Sequence, residues 1–335
     1  MHTSPDHHSQ TVNLTVLILV FTALFFADEV RGQTARASDN PVCEKLGWFP
    51  SEPNLKDHHI FWYAGYYYLV SNQLIHENRF AYARSQDFCH WEELAPILSQ
   101  RTPGAWDELA IWAPFVFEEN GVFHMFYTGV TKEYTQSILY ATSTRPDEPD
   151  SWQTLGMIFQ PDHADKVWEA GTWSDCRDPS VIKAGELYYL SYTGRDSTGS
   201  IIGLASASSP SGPWMDRGNI VPPVAQGVLE SSSLIYFKNA YYLFYHHTGR
   251  GEFYRTGASL SGPWQAEFPI QPGWAHEVWQ DITGKWHTSY LTNYTVTISP
   301  LTWDTLSEPA QPRIDAAIYH QILPIINRNA NPLEN

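Results

Sequence analysis

Short apolar stretches alternate with turns along most of the chain, and this pattern recurs five times. In each copy a short apolar strand leads to a turn residue, and an aromatic-rich strand follows. The turn residues are glycine or asparagine, which adopt the positive φ that tight hairpin turns require. The five phrases are AGYYYLVSN (64–72), NGVFHMFYTG (120–129), AGELYYLSYTG (184–194), NAYYLFYHHTG (239–249) and TGKWHTSYLTN (283–293).

Further strand-like stretches follow these hairpins, such as FAYARSQDFCHWEEL and IIGLASASSPSGPWMDRG, and no long amphipathic helix interrupts them. Short strands in fours, repeated five times, predict an all-β fold: a five-bladed β-propeller of four-stranded antiparallel blades over residues 45–310. A β-sandwich whose phrases resemble each other by chance is the alternative. Residues 311–335 are predicted to form a tail that adds a closing strand or packs on the propeller.

The composition of the chain limits the classes of molecule that it is expected to bind. The net charge is −16, so nucleic acids and anionic membranes are excluded as partners, because binding phosphates needs a basic face. Aromatic residues make up 15% of the chain, which fits core packing and also the stacking of rings on sugars. The aromatic content is therefore compatible with a carbohydrate cleft, but the net charge does not name a partner.

The N-terminal segment predicts export. Leu14–Ala27 is an apolar run of about 14 residues, too short for a membrane span and suited to the core of a signal peptide. Residues 1–37 are therefore predicted to be a signal, cleaved after Gly32 or Ala37, that directs the protein to the periplasm or the exterior. An uncleaved N-terminal anchor is the alternative, and no second long apolar run indicates an integral membrane domain.

The cysteines allow one disulfide at most. The chain has three, Cys43, Cys89 and Cys176, and their spacing fits no zinc motif. The sequence does not decide which two of them, if any, are bonded.

Three acids precede predicted inner strands. Asp57, Asp178 and Glu230 lie eight, seven and nine residues before the turn residues of their blades. Equivalent positions of a propeller converge on its axis, so we expect these carboxylates to share one pocket and to raise each other's pKa. Glycoside hydrolysis uses a carboxylic acid and a carboxylate in this way. The alternative for each acid taken alone is a turn or capping role.

At these residues the sequence resembles the propeller glycosidases of glycoside hydrolase family 43 and their relatives in family 32. The phrases that carry the resemblance are KDHHIFWYAGYYYL (56–69), Trp112-Ala113-Pro114, Arg177-Asp178-Pro179 and Glu230-Ser231. The resemblance implies that Asp57 is the general base, Glu230 the general acid, and Asp178 the residue that tunes the pKa of the acid. It also implies inversion at the anomeric carbon. His58 departs from the family pattern, which has proline there.

Other residues receive roles from the same resemblance or from their neighbours. Arg177 is predicted to bind sugar hydroxyls or to fix Asp178, and Trp112 to stack on a sugar or to stabilise its blade. His58 is predicted to line the pocket. His276 corresponds to a histidine that binds calcium or water in the central channel, with a buried core role as the alternative. Nothing in the sequence indicates an organic cofactor.

The predicted function is an exported glycoside hydrolase that cleaves arabinofuranoside-like or xyloside-like bonds of plant-type oligo- or polysaccharides. Two alternatives remain. One is a retaining β-fructosidase of the family 32 type, which shares the R-D-P phrase, although the W-M-N-D-P-N-G and E-C signatures of that family are absent. The other is a non-catalytic propeller that binds glycans.

Overall fold

The computed structural model of the chain describes residue 43 and residues 45–314. These residues form 21 β-strands and one short 3₁₀ turn, Pro149–Ser151. None of them belongs to a helix with the length and hydrophobicity that a membrane span requires. The predicted signal segment and the end of the predicted tail lie outside the described residues.

Four sheets each consist of four consecutive antiparallel strands in chain order. Blades one and two contain β2 (Leu55–Tyr63), β3 (Tyr66–Gln73), β4 (Phe80–Ser85) and β5 (Trp91–Ile97), then β6 (Ala110–Glu119), β7 (Val122–Val130), β8 (Gln136–Ser143) and β9 (Gln153–Phe159). Blades three and four contain β10 (Arg177–Ala184), β11 (Leu187–Asp196), β12 (Gly199–Ala207) and β13 (Met215–Asn219), then β14 (Leu229–Phe237), β15 (Ala240–His247), β16 (Gly251–Gly257) and β17 (Phe268–Ile270).

Blade five joins the two ends of the described chain. It contains β18 (Trp274–Gln280), β19 (Trp286–Thr292) and β20 (Thr295–Asp304), and both β1 (Gly47–Trp48) and β21 (Gln311–Ile314) pair with β20. A disulfide between Cys43 and Cys89 links the segment that precedes β1 to blade one, and Cys176 is buried and free. The first and last blades are thereby tied together by strand pairing and by a covalent bond.

Apolar residues are buried between neighbouring blades. Five clusters of buried side chains fill the five contacts around the ring, including the contact between blades five and one. Phe61 of blade one packs against Phe123 of blade two, for example, with ring centroids 5.4 Å apart. The alternating apolar positions of the sequence supply both faces of each sheet, because every blade is covered on two sides.

The turns that define the repeat adopt the predicted conformation. The five turn residues all have a positive φ: Gly65, Gly121, Gly185, Asn239 and Gly284. The five-bladed propeller with four-stranded antiparallel blades is thereby confirmed.

Candidate active site

Each inner strand carries a β-bulge near its first residue. Two residues of the inner strand face one residue of the next strand, and the hydrogen-bonded register resumes after them. In blades two and three the second bulged residue is a proline, Pro114 or Pro179, which has no N–H to give to a ladder. The five bulged pairs are Asp57-His58, Ala113-Pro114, Asp178-Pro179, Ser231-Ser232 and Ala275-His276.

The three acids do not occupy equivalent positions of their inner strands, contrary to the prediction. Asp57 and Asp178 are the first bulged residues of their blades, whereas Ser231 holds that position in blade four. Glu230 lies one residue earlier, in the position that Arg177 occupies in blade three. Counting to the turn residue hid this shift because Gly185 is the first residue of its two-residue turn, whereas Gly65 and Asn239 are the second. Counted to the second turn position, two of the acids are eight residues away and Glu230 is nine.

The three acids nevertheless meet in one pocket. A pocket of about 330 Å³ lies at the start of the inner strands, and Asp57, Asp178 and Glu230 all line it. Arg177 and Trp112 line it as well. Beneath it a cavity of about 20 Å³, reached by Asp57 and Asp178 from above, has room for about one water molecule.

Asp57 is held in an environment that favours its protonated form. Burial, followed by the negative charges of Asp178 and Glu230, raises the pKa of Asp57 to about 7, although Lys56 and a hydrogen bond from Ser231 act in the opposite direction. The Ser231 hydroxyl donates to Oδ1 of Asp57 across 3.2 Å. Asp57 can therefore exchange a proton close to neutral pH, as a general base requires.

Asp178 is the most enclosed of the three acids. It is 6% exposed, and its Oδ2 accepts hydrogen bonds from the Ser231 backbone N–H at 2.9 Å and from the Thr193 hydroxyl at 3.0 Å. Burial raises the pKa of Asp178, and the charge of Arg177 partly offsets this shift. Because its polar contacts are within the protein, Asp178 is suited to position its neighbours.

Arg177 connects the acids. Its Nη2 donates to Oε2 of Glu230 at 3.1 Å, its Nη1 donates to Oδ1 of Asp175 at 2.6 Å, and its Nε lies 3.7 Å from Oδ2 of Asp178. Burial works against the charged guanidinium, but Asp178, Asp175 and Glu230 outweigh it and raise the pKa of Arg177. Arg177 therefore keeps a positive charge in the pocket.

Glu230 is the acid that is open to the pocket. Its side chain is 32% exposed, and besides Arg177 it accepts a hydrogen bond from the Thr248 hydroxyl at 3.4 Å. Both carboxylate oxygens therefore accept hydrogen bonds from the protein, while about a third of the side chain stays open to a bound molecule.

Trp112, like Glu230 and Arg177, precedes the bulge of its blade and lines the pocket, and its stacking on a sugar stays a prediction. His58 is 3% exposed and lines the small cavity beneath the pocket, with Nε2 2.8 Å from the Ser289 hydroxyl. Burial, followed by the charges of His59 and His276, lowers the pKa of His58 to about 3. Its binding to a sugar stays a prediction, and its position favours a structural role.

His276 is 1% exposed, and its Nδ1 lies 2.9 Å from the Thr288 hydroxyl. Calcium takes six to eight oxygen ligands, and the described residues include no group of three or more acids, histidines or cysteines placed to hold a metal ion. The binding of calcium or water by His276 therefore stays a prediction. No step below involves a metal.

Several pocket residues were not predicted. Asp175 is 6% exposed and bridges Arg177 to Arg195, whose Nε lies 3.4 Å from Oδ2 of Asp175. Gln136 also accepts a hydrogen bond from Arg177, at 3.2 Å. Trp173 is an exposed pocket residue in the segment between blades two and three. The nearest signal in the sequence was the adjacent Arg177-Asp178-Pro179 phrase, since Asp175 and Trp173 precede it directly.

Comparisons with known proteins agree with this architecture. The sequence model "Glycosyl hydrolases family 43" matches residues 51–175, which include Asp57 and Trp112 and end before Asp178. This match confirms the predicted resemblance and the class of enzyme, a glycoside hydrolase. A search of curated proteins finds no match.

Solved structures confirm the fold. A thermostable family-43 glycoside hydrolase aligns with a TM-score of 0.62 at 16% identity, over 81% of this chain and 96% of that one. The α-L-arabinanase of Cellvibrio cellulosa, complexed with arabinohexaose, aligns with a TM-score of 0.62 at 14% identity, over 80% and 97%. The exo-β-1,3-galactanase of Phanerochaete chrysosporium, with β-1,3-galactotriose, aligns with a TM-score of 0.60 at 16% identity, over 83% and 67%.

Proposed function

We propose that this glycoside hydrolase, similar to family 43, cleaves arabinofuranoside-like or xyloside-like bonds of plant-type polysaccharides with inversion at the anomeric carbon. The observation that carries the proposal is the convergence of Asp57, Asp178 and Glu230 on one pocket. The substrate class is supported by the arabinan- and galactan-cleaving enzymes among the similar structures.

In this mechanism Asp57 removes a proton from a water molecule that attacks the anomeric carbon. Glu230 donates its proton to the glycosidic oxygen as that bond breaks, so that one proton enters and one leaves the reacting atoms. The raised pKa of Asp57 supports its role as a base that works near neutral pH. Glu230 then recovers its proton from solvent, and Asp57 releases the one it took.

Arg177 and Asp178 position the two reacting carboxyls. Arg177 donates to Glu230, and Asp178 binds the Ser231 N–H while the Ser231 hydroxyl donates to Asp57. Ser231 thus connects Asp178 to the base, and Arg177 connects Asp178 to the general acid. These contacts hold the base and the acid in place relative to each other, and inversion requires that a water fit between them.

Glu230→Gln tests the role of the acid. We expect the variant to lose hydrolysis of natural oligosaccharides by about 10²–10⁴-fold, because the leaving sugar needs a proton, and to retain much more activity on aryl glycosides with good leaving groups. Steady-state rates on both substrate types measure the difference. An equal loss on both would remove Glu230 from this role.

NMR observation of the first sugar released tests the stereochemistry. The proposed mechanism gives the inverted anomer before mutarotation, whereas release of the retained anomer would assign the chain to the fructosidase-like alternative. A protein that binds these glycans and cleaves none of them would fit the non-catalytic alternative.

We further propose that the protein is exported and that its N-terminal signal is cleaved after Gly32 or Ala37. The Cys43–Cys89 disulfide supports this proposal, because disulfides persist in oxidising compartments. Mass spectrometry of the protein secreted from a bacterial host should show a mature chain that begins at residue 33 or 38. Recovery of the full-length chain in the membrane fraction would instead support the anchor.

A further inference from the structure

Two aromatic side chains form an exposed stack beside the pocket. The rings of Tyr134 and Trp173 lie nearly parallel, with centroids 5.0 Å apart and an angle of 17° between their planes. Trp173 is 66% exposed and Tyr134 is 42% exposed. Two large rings that lie together and open to water form a patch that a ligand can cover, and burying such a patch is favourable.

The stack is held in place by polar contacts at its base. The Thr135 hydroxyl donates to the Thr172 carbonyl at 2.7 Å and accepts from the Gly171 N–H at 3.0 Å, and the Gln136 N–H donates to the Ser174 carbonyl at 3.0 Å. The two loops that carry Tyr134 and Trp173 are therefore joined on both sides of the rings. A ligand that binds the rings meets a preformed surface and loses little free energy to ordering it.

The stack is also continuous with the catalytic pocket. Trp173 lines the same pocket as Asp57, Asp178 and Glu230. It stands two residues before Asp175, which holds Arg177 at 2.6 Å, and Arg177 in turn holds Glu230. A molecule bound across the rings therefore extends directly into the site where the three acids meet.

We propose that Tyr134 and Trp173 form a subsite that stacks on a sugar unit beyond the two units that the cleaved bond joins. This inference rests on the proposed function and adds to it a preference for oligosaccharides of three or more units. Sugars fit because their C–H faces are apolar and uncharged, whereas the net charge of −16 disfavours an anionic occupant.

Trp173→Ala tests the subsite through the dependence of rate on chain length. The probes are α-1,5-arabino-, β-1,4-xylo- and β-1,3-galacto-oligosaccharides of two to six units, and the readout is kcat/KM for each length. We expect the variant to lose about tenfold on the longer members, mainly through KM, and to keep its rate on disaccharides, because one aromatic contact is lost. Trp173→Phe should restore most of the preference.

Tyr236→Ala is the matched control. Tyr236 is 50% exposed and packs on Tyr241 with ring centroids 4.8 Å apart, but it lies near the turn of β14, at the end of that strand opposite to Glu230. Its removal should leave the chain-length profile unchanged. A Trp173→Ala profile that is also unchanged, or that falls equally for disaccharides and longer chains, would overturn the subsite.

Affinity electrophoresis separates failure of the subsite from failure of the proposed function. Gels that contain soluble arabinan, arabinoxylan or galactan should retard the wild-type chain and retard Trp173→Ala much less. If the wild-type chain cleaves nothing but shows this difference, the hydrolase mechanism fails and the subsite stands. If no polysaccharide retards the wild-type chain more than the variant, the subsite fails.

Discussion

The inner strands of blades two and five have a β-bulge, as those of blades one, three and four do, but they carry different side chains at it. All five inner strands have a bulge near their first residue, and its first residue has a positive φ in every blade except blade one. The first bulged residue is an aspartate in blades one and three and a serine in blade four, and it is an alanine in blades two and five, Ala113 and Ala275.

The bulge therefore belongs to the fold and the carboxylates belong to the site. Ala113, Asp178, Ser231 and Ala275 all have a φ between 45° and 58°, a region that residues other than glycine seldom adopt and that costs about 1–3 kcal/mol. Because the alanines bear the same strain without a reactive group, the strain is no evidence of catalysis. What distinguishes blades one, three and four is the side chain that the shared backbone directs to the axis.

Replacing the general base should lower the catalytic rate more than any other substitution at the bulges. In Asp57→Asn the pocket keeps its shape and loses a proton acceptor, so kcat should fall by about 10²–10⁴-fold on every substrate that the wild-type enzyme cleaves. Rates measured from pH 5 to 9 check the prediction. Loss of the acidic limb of the pH–rate profile, which the raised pKa of Asp57 places near neutral pH in the wild type, should accompany the fall.

Ala113→Ser is the control from the equivalent position of blade two. It changes the bulge to the residue type found in blade four and adds no carboxylate, so its rate should stay within about threefold of the wild type. If Asp57→Asn and Ala113→Ser lost activity equally, the bulges themselves and not the acids would govern the rate.

Arg177→Lys should have the next largest effect. A lysine cannot reproduce the contacts that the guanidinium makes with Glu230, Asp175 and Asp178, so kcat/KM should fall by about 10–100-fold. Arg255→Lys is the matched control, because Arg255 has the same side-chain exposure of 14% and bonds Tyr245, Gln265 and Glu267 away from the pocket. Equal activity losses in both variants would indicate general destabilisation.

The sequence predicted the parts of the molecule that local chemistry determines. Turn residues with a positive φ, apolar strands and an acid at the start of three inner strands were enough to derive the ring and its pocket. Glu230 was predicted in the pocket but one position out of register. A bulge is a property of strand pairing, and only Pro114 and Pro179 hinted at it in the sequence.

Other features depend on contacts between distant segments that no local pattern reports. Three cysteines permit three different pairs, and the Cys43–Cys89 bond follows from the meeting of β1 with blade one. The Tyr134–Trp173 stack joins two loops that are 39 residues apart and have no counterpart in the other blades. The five sequence repeats were enough to predict the fold, whereas the site also depends on residues that have no counterpart in the other repeats.

The last prediction concerns the thermal stability of the protein. It compares an acid at the pocket end of one inner strand with an acid at the turn end of another. At the pocket end, Asp57 has a raised pKa in the folded protein, so folding binds a proton between pH 4 and pH 7 and stability falls as the pH rises through this window. Asp57→Asn has no such penalty. Because about three pKa units correspond to about 4 kcal/mol, its Tm should exceed that of the wild type by about ten degrees at pH 8 and match it near pH 4.

Asp281, in the turn that follows β18, should show the opposite sign. Although burial acts the other way, hydrogen bonds from Thr283, His287 and the Lys285 backbone lower the pKa of Asp281, so its contribution to stability is present above about pH 4 and is lost as the pH falls further. Asp281→Asn should therefore lower Tm at pH 6–8 by a few degrees, and the difference should shrink in acid. Thermal unfolding of both variants from pH 3.5 to 8 measures the two slopes together. If the Tm difference from the wild type changed with pH in the same direction for both variants, the opposite pKa shifts assigned to Asp57 and Asp281 would be wrong.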